Sequence, residues 1–213
     1  MSGILDLLNS DLGKTIVSGV ANESGQSTDK TASVLTMALP VLMGAMKRNA
    51  ATPEGAEGLM GAISGKHDGS ILDNLGGLFS GGVDQSVMND GAGILGHVLG
   101  GSQQNVTNAL SQKSGMNSDA VMNILKIAAP LVMGYLGKQT KQQNISDTNG
   151  IDNLLGGLLG GGSAASSQQS LIESLLDGNG DGSILDDVAG MVLNSGSKKK
   201  GGLTGLLGGL FGK

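Results

Sequence analysis

The chain has 213 residues, enough for one large domain or two small ones, and 39 of them are glycine. Charged residues make up 15%, aromatic residues 1%, and the formal net charge is −5. This composition lacks the basic field and the aromatic stacking surface that nucleic-acid binding uses, so we expect no nucleic-acid partner. Cysteine is absent, which excludes disulfides and thiolate chemistry. The aliphatic residues that remain for a core favour packed helices over sheets.

An internal duplication becomes visible when the chain is aligned with itself. Pro40 aligns with Pro130 and Gly44 with Gly134, each pair 90 residues apart. The segment SGIL at 2–5 likewise matches AGIL at 92–95. We therefore predict an all-α protein with two tandem copies of a small helical bundle, followed by a tail. Copy one spans residues 1–90, copy two spans 91–195, and the tail spans 196–213.

Each copy is predicted to contain three helices in the same order. They are a short helix (5–8 and 95–99), a second helix (16–22 and 106–112) and a long apolar third helix (32–46 and 120–136). Gly25 and Gly115 are placed to end the second helix, and polar residues that can cap the third helix follow them. Pro40 and Pro130 fall inside the third helix, where proline either kinks the axis or begins a new helix. We favour a kink or break in a buried central helix.

The third helix does not resemble a membrane span. In copy one only 16 residues separate Lys30 from Lys47, fewer than the roughly 20 that span a bilayer. In copy two the helix carries Lys126. At the N-terminus, Asp6 and Asp11 interrupt the apolar run that a signal peptide needs, so no signal peptide is evident. These patterns favour a cytoplasmic protein with a buried central helix in each copy.

Residues 150–170 are rich in glycine and serine, which predicts a flexible linker inserted into copy two. The same region begins with a stripe of aliphatic residues at helical spacing, and the tail carries a second such stripe. The first contains Ile151, Leu154, Leu155, Leu158 and Leu159, and the second contains Leu203, Leu206, Leu207, Leu210 and Phe211. Because each glycine costs a helix about 1 kcal/mol, we expect these stripes to order only against another apolar surface.

Three lysines precede the C-terminal stripe, and a fourth, Lys213, follows it. A basic flank beside an apolar face is typical of helices that lie on anionic membranes, so residues 201–213 are a candidate for peripheral membrane contact. The alternatives are a flexible tail, or docking on the protein's own bundle or on that of another copy. The last of these predicts a homo-oligomer.

An acidic loop in copy two, LLDGNGDGSILDDV at 175–188, matches part of an EF-hand calcium loop. Its candidate ligands for Ca²⁺ are Asp177, Asn179, Asp181, Ser183, Asp186 and Asp187. The first three occupy positions one, three and five of the loop, and Ser183 offers its backbone carbonyl. The match is partial, because Val188 stands where the twelfth position requires an acid.

The same residues also predict a helix start, since SILD is close to a capping box. In it, the serine caps the helix and the aspartate folds back onto the first turn. Copy one repeats this element as DGSILD at 68–73, but it has Ser64 and Lys66 where copy two has Asp177 and Asn179. The helix start is therefore shared by both copies, and the calcium hypothesis applies to copy two alone.

The sequence contains few groups suited to catalysis. Its two histidines are His67, which we interpret as a solvated loop residue, and His97, which we place on a helix surface. No catalytic triad spacing, phosphate loop or HExxH motif is present. We predict a non-catalytic protein: a binding or scaffold protein with a calcium-type loop, or alternatively a self-assembling or peripheral-membrane protein acting through its Gly-Leu stripes.

The segments PVLMG at 40–44 and PLVMG at 130–134, the DGSILDD turn and the Gly-Leu tail resemble the YidB-like bacterial proteins, a family of unknown function. The resemblance covers mainly residues 1–80 and 91–195. It implies an all-helical bundle in a bacterial protein, with no assigned activity and no catalytic residues. The chain departs from shorter members of the family in holding two copies.

Overall fold

The computed structural model describes residues 4–159, and every regular element in that range is helical. The helices are α1 (Ile4–Asn9), α2 (Asp11–Ser24), α3 (Thr28–Asn49), α4 (Pro53–Ser64), α5 (Ser70–Asp73), α6 (Leu75–Phe79), α7 (Gln85–Leu99), α8 (Gln103–Ser114), α9 (Ser118–Gln142) and α10 (Thr148–Leu158). A 3₁₀ turn, Gly100–Ser102, joins α7 to α8. The all-α prediction is confirmed.

The ends of the helices follow the capping signals in the sequence. Gly25 and Gly115 end α2 and α8 with φ values of 64° and 65°, a left-handed conformation that glycine adopts without strain. The third helix of each copy then begins at a capping side chain. The Ser27 hydroxyl accepts a hydrogen bond from the Lys30 amide, and the Asn117 side chain accepts one from the Ala120 amide. The predicted helix ends at Gly25 and Gly115 are confirmed. The third helices begin within the predicted capping stretches and are longer than the predicted 32–46 and 120–136.

Helices α3 and α9 continue without interruption through Pro40 and Pro130, so the predicted break is excluded. Proline has no amide hydrogen, so Pro130 leaves the carbonyl of Lys126 without its usual partner in the helix. Gly91 of α7 lies directly against this carbonyl, and a Cβ at that position would overlap the oxygen. A glycine on the neighbouring helix therefore permits close backbone contact where the proline has freed an oxygen.

The two copies contribute to one contiguous hydrophobic core. Helices α3 and α9 pack against each other at its centre, and shorter helices from each copy cross to the long helix of the other. From copy one, α4 and α5 pack on α9, while α10 of copy two packs on α3. The arrangement is approximately reciprocal, so each long helix is covered partly by segments of the other copy.

Helix α9 is long and apolar enough to cross a membrane, judged by length and composition alone. However, 78% of its most apolar stretch is buried inside the bundle. Burial of this extent is expected for the core helix of a bundle, because its apolar residues already contact other helices. This supports the interpretation of a buried central helix.

The linker prediction is wrong for the first part of residues 150–170, because Thr148–Leu158 form α10. Its stripe is almost completely buried: Ile151 and Leu154 are each 1% exposed, Leu155 is 0% and Leu158 is 2%. The glycines do not prevent this helix, because the stripe packs on α3 and α4. This agrees with the expectation that such a stripe orders only against another apolar surface. The remaining residues of the predicted linker lie outside the described range.

Helix α10 is the counterpart of α4 in the second copy. The Thr52 hydroxyl caps α4 by accepting from the Gly55 amide, and the Asp147 carboxylate caps α10 by accepting from the Gly150 amide. In each copy, the helix that follows the long helix therefore begins at a cap with the same spacing. The additional residues of copy two therefore begin later in the chain than residue 150, where the glycine-rich composition had predicted them.

The DGSILD segment of copy one does begin a helix, but its cap differs from the expected one. The Asp68 carboxylate accepts the Ser70 amide at 3.1 Å, and Gly69 adopts a φ of 102°. Asp73 does not fold back; instead it accepts a hydrogen bond from Lys138 of α9 at 2.9 Å. The acids at both ends of the short helix α5 pair with lysines of α9: Asp73 with Lys138 and Asp68 with Lys141.

Candidate functional site

Helices α4 and α7 form the walls of a groove of about 750 Å³. Helices α3 and α9 supply its floor through Met46 and Met133, which are 1% and 3% exposed. Methionine is flexible and polarisable, so such a floor can adapt to an apolar ligand. The volume lies within the range of roughly 300–1,000 Å³ that is typical of ligand-binding pockets.

Most of the surface that lines the groove is apolar. Helix α4 contributes Leu59 and Ala62, and helix α7 contributes Ile94 and Val98. All four are aliphatic and offer no hydrogen bond through their side chains. The middle of the groove therefore suits an apolar ligand.

A glycine leaves space on each of the two walls. A Cβ added at Gly58 of α4 or at Gly93 of α7 would have no heavy atom within 4 Å, so each faces free space. Gly55 differs, because a Cβ there would overlap the carbonyl oxygen of Asn49. An incoming helix can therefore approach the backbone of both walls at Gly58 and Gly93.

Asn49, the last residue of α3, fixes one end of the groove. Its side-chain amide donates to the carbonyls of His97 and Val98, each at 3.2 Å. These carbonyls lie in the last turn of α7, where the helix itself supplies no partner. The contact ties the C-terminal ends of α3 and α7 together.

The polar end of the groove is formed by Lys66, His67 and Asp90. The Lys66 ammonium lies 2.6 Å from one Asp90 oxygen, and His67 Nε2 lies 3.7 Å from the other. Burial lowers the pKa of His67; the carboxylate of Asp90 opposes this effect, and the charge of Lys66 adds to it. The lowered pKa favours the neutral form of the imidazole.

The prediction that His67 is a solvated loop residue is wrong, because it is only 7% exposed. The chain folds back after α4: the His67 amide donates to the Ala62 carbonyl, and the His67 carbonyl packs against Gly137 of α9. His97 is exposed on α7, as predicted. No local spacing signals the approach of His67 to Asp90, since the two belong to different elements and meet only through tertiary packing.

The groove lies between helices of acidic character. Helix α4 carries Glu54 and Glu57, helix α7 carries Asp90 after the capping residue Asp84, and neither helix contains lysine or arginine. Lys66 is paired with Asp90, so its charge is locally balanced. A ligand with a basic flank would meet a favourable field there.

The six predicted calcium ligands, Asp177, Asn179, Asp181, Ser183, Asp186 and Asp187, lie outside the described residues, as does the C-terminal stripe. Within residues 4–159 there is no group of three or more His, Asp or Glu side chains that could hold a metal ion. In copy one, Asp68 pairs instead with Lys141 at 2.7 Å. The hydrogen bond from Lys141, together with those from Ser70, keeps the pKa of Asp68 below its ordinary value.

A family model described as a bacterial protein of unknown function, DUF937, matches residues 6–139 and 145–213. The chain belongs to this family. The match falls in two consecutive segments, which is consistent with the internal duplication and with the resemblance to YidB-like proteins. Neither a curated protein nor a solved structure matches the chain. The unknown function of DUF937 and the all-helical fold give no sign of catalysis.

Proposed function

We propose that this DUF937 protein is a non-catalytic docking protein that links copies of itself. In this proposal the groove between α4 and α7 receives the C-terminal stripe, residues 203–211, of a second copy. The observation that carries the proposal is an apolar groove of about 750 Å³ whose two walls are open at glycines. A helix with an apolar face that lies in a hydrophobic groove is a common mode of peptide recognition.

Two described segments with nearly the same sequence as the stripe support this occupant. The stripe contains LGGLF at 207–211; α6 is LGGLF at 75–79, and LGGLL at 155–159 covers the last turn of α10 and the residue after it. In α6, Leu75 is buried and the Phe79 ring packs against Gly19 of α2. In α10 the leucines are buried against α3 and α4. Both described occurrences are docked on the bundle, so we expect the third to dock as well.

Charge also favours the stripe as occupant. Lys198, Lys199 and Lys200 precede it and Lys213 follows it, whereas helices α4 and α7 carry acids and neither lysine nor arginine. Lys66, at the polar end of the groove, is paired with Asp90. Opposite charges at the rim of an interface steer association and select partners. An apolar helix without flanking charges would lack this electrostatic attraction.

A second copy is the source we favour. Helix α10 packs on α4, but none of its residues lines the groove, so the described chain ends on another side of α4. The stripe of a second copy can enter the groove without passing around α4. Because stripe and groove are different surfaces, the contact joins copies head to tail and produces rings or chains.

The mass of the full-length protein, measured by light scattering across a concentration series, tests this proposal. We expect the mass to rise with concentration for the wild type, and to stay at that of one chain for Gly58→Leu and Gly93→Leu. Each added side chain would fill the groove from a position that faces free space, so folding should be retained.

The matched controls are Gly61→Leu and Gly96→Leu, which lie one turn further along the same helices. These glycines also face open space but do not line the groove, so both variants should associate like the wild type. A wild type that stays monomeric throughout, or groove variants that associate normally, would disprove the proposal. Sedimentation with anionic vesicles that needs residues 201–213 but tolerates Gly58→Leu would instead indicate membrane contact.

Calcium binding remains a separate proposal for the acidic loop of copy two, and one comparison between the copies favours it. In copy one the first aspartate of DGSILD, Asp68, is paired with Lys141. The residue 90 positions before Lys141 is Ala51, so the corresponding Asp181 has no equivalent lysine. Its carboxylate is therefore more available to a hard cation such as Ca²⁺ than that of Asp68.

A further inference from the structure

Helix α5 docks on α9 through a close contact and an ion pair. A Cβ at Gly134 of α9 would lie 2.5 Å from Ile71 Cγ2, so the glycine is what lets α5 approach. Four residues later on α9, Lys138 donates to Asp73 at 2.9 Å. One glycine and one basic residue, a turn apart, thus form the receiving surface on α9.

The same surface is repeated on α3, and the same short segment is repeated in copy two. Gly44 corresponds to Gly134 and Arg48 to Lys138, each 90 residues earlier. DGSILD recurs at 181–186, where Asp186 corresponds to Asp73. Because α4 packs on α9 and α10 packs on α3, we expect the second DGSILD segment to pack on α3.

Arg48 is a partly buried charge that forms no ion pair within residues 4–159. Burial lowers the pKa of its guanidinium, which is the effect of withdrawing a cation from water. A partly buried cation is more stable beside a carboxylate. The α9 counterpart of Arg48 has such a carboxylate in Asp73.

We propose that residues 181–186 dock on α3 at Gly44, with Asp186 paired to Arg48, as α5 docks on α9. The described chain ends just after α10, which itself packs on α3, so the chain that leads to this segment begins close to α3. Residues 160–180 span up to about 3.3 Å each when extended, which is ample for the short distance along α3. The docking is independent of the groove between α4 and α7.

Two differences between the copies define how far this docking extends. Lys47 stands on α3 where α9 has Gly137, the residue against which the His67 carbonyl packs. We therefore expect the chain just before Asp181 to lie further from α3 than His67 lies from α9. In addition, copy one has Ala51 at the position that corresponds to Lys141, so we expect no lysine to pair with Asp181 as Lys141 pairs with Asp68. The contact is confined to the helical turn and Asp186, and Asp177, Asn179, Asp181 and Asp187 are left for a cation.

Cross-linking in the cysteine-free full-length chain tests the contact. The pair Gly44→Cys and Ile184→Cys should oxidise to a disulfide within one chain, detected by mass spectrometry. The positive control is Gly134→Cys with Ile71→Cys, whose partners are in contact in copy one. The negative control is Ser33→Cys with Ile184→Cys, because Ser33 is exposed on α3 three turns earlier. Disulfide formation at 44/184 no faster than at 33/184 would overturn the proposal.

Hydrogen exchange gives a second test that adds no side chain at Gly44. The amides of residues 183–187 should exchange at least tenfold faster in Arg48→Glu than in the wild type. Combining Arg48→Glu with Asp186→Arg should restore most of the protection by reversing the pair. Unprotected amides in the wild type, or equal exchange in all three proteins, would show that the segment does not dock there.

Discussion

The two long helices α3 and α9 are the corresponding helices of the two copies, but they differ in the residues that contact neighbouring segments. Both hold a proline and a glycine four residues later. Helix α9 has a second glycine, Gly137, against which backbone from the other copy packs, and α3 has Lys47 at that position. The apolar positions that build the shared core are kept, as is the glycine at 44 and 134, while Lys47 and Ala51 of copy one stand where copy two has Gly137 and Lys141.

The groove differs between the copies for a simpler reason. Helix α7 begins at Gln85, nine residues before Ile94, which is the counterpart of Ile4 at the start of α1. The N-terminal half of α7 supplies Ser86, Asn89 and Asp90 to the groove. Copy one has no equivalent segment within α1. A groove of this kind is therefore built on only one side of the described bundle.

The largest expected effect compares α10 with α4. Leu154 is 1% exposed, whereas its counterpart Leu59 is only partly buried and lines the groove. Leu154→Ala should lower the free energy of unfolding by about 3 kcal/mol, because it leaves a cavity between α10 and α3. Leu59→Ala should cost less than half as much. Urea denaturation followed by circular dichroism measures both, and equal losses would mean that α10 contributes no more to the core than α4.

The next comparison concerns α9 and α3. Gly137→Ala should destabilise the protein by about 2 kcal/mol, because the new Cβ overlaps the His67 carbonyl and outweighs the gain in helix propensity. Lys47→Ala, at the equivalent position of α3, should change the stability by about 0.5 kcal/mol or less. If Gly137→Ala were tolerated as well as Lys47→Ala, α5 and the residues before it would not be held tightly on α9.

The two acidic turns can be compared by adding calcium. With Ca²⁺ at ten times its dissociation constant, binding at 177–187 should raise the stability by about 1.4 kcal/mol. Asp177→Ala combined with Asp181→Ala should abolish both this gain and the heat in a calorimetric titration. Asp68→Ala, the control in copy one, should leave the heat unchanged. The absence of heat at millimolar calcium in the wild type would rule out the site.

The smallest expected effect separates the two histidines. The pKa of His67 is lowered below 6.5 in the folded protein, so below that pH the unfolded chain binds the extra proton first. The contribution of His67 to stability is therefore complete above about pH 6.5 and is lost as the pH falls from there toward the folded-state pKa. In urea melts between pH 5 and 7, His67→Gln should flatten this decline. The exposed His97→Gln should keep the wild-type slope, and a wild-type slope in both variants would contradict the assignment.

Local signals in the sequence were sufficient for the helices and several of their ends. Gly25, Gly115, Ser27 and Asn117 act through contacts a few residues away, so their effects can be read without the fold. The burial of His67 could not be read in this way, because it depends on the distant Gly137 and Asp90. The segment at 150–158 satisfied two patterns at once, and only the apolar surface of α3 and α4 decided between a linker and a helix.

The groove was not predicted at all. Its walls come from α4 and α7, which are separated by two short helices, and its floor comes from the long helix of each copy. Glycines such as Gly58 and Gly93 are common in this chain, so nothing in their local sequence sets them apart from Gly61 and Gly96. Their difference arises only from which face of the helix turns toward the partner wall.

The crossing of helices between the copies has a consequence for the newly made chain. Helix α3 ends at Asn49, but α10, which covers part of its apolar face, begins only at Thr148. At about 5–20 residues per second, a ribosome adds the intervening hundred or so residues in about 5–20 s. During that interval the part of the apolar face of α3 that α10 will cover remains open to chaperones or to a neighbouring nascent chain.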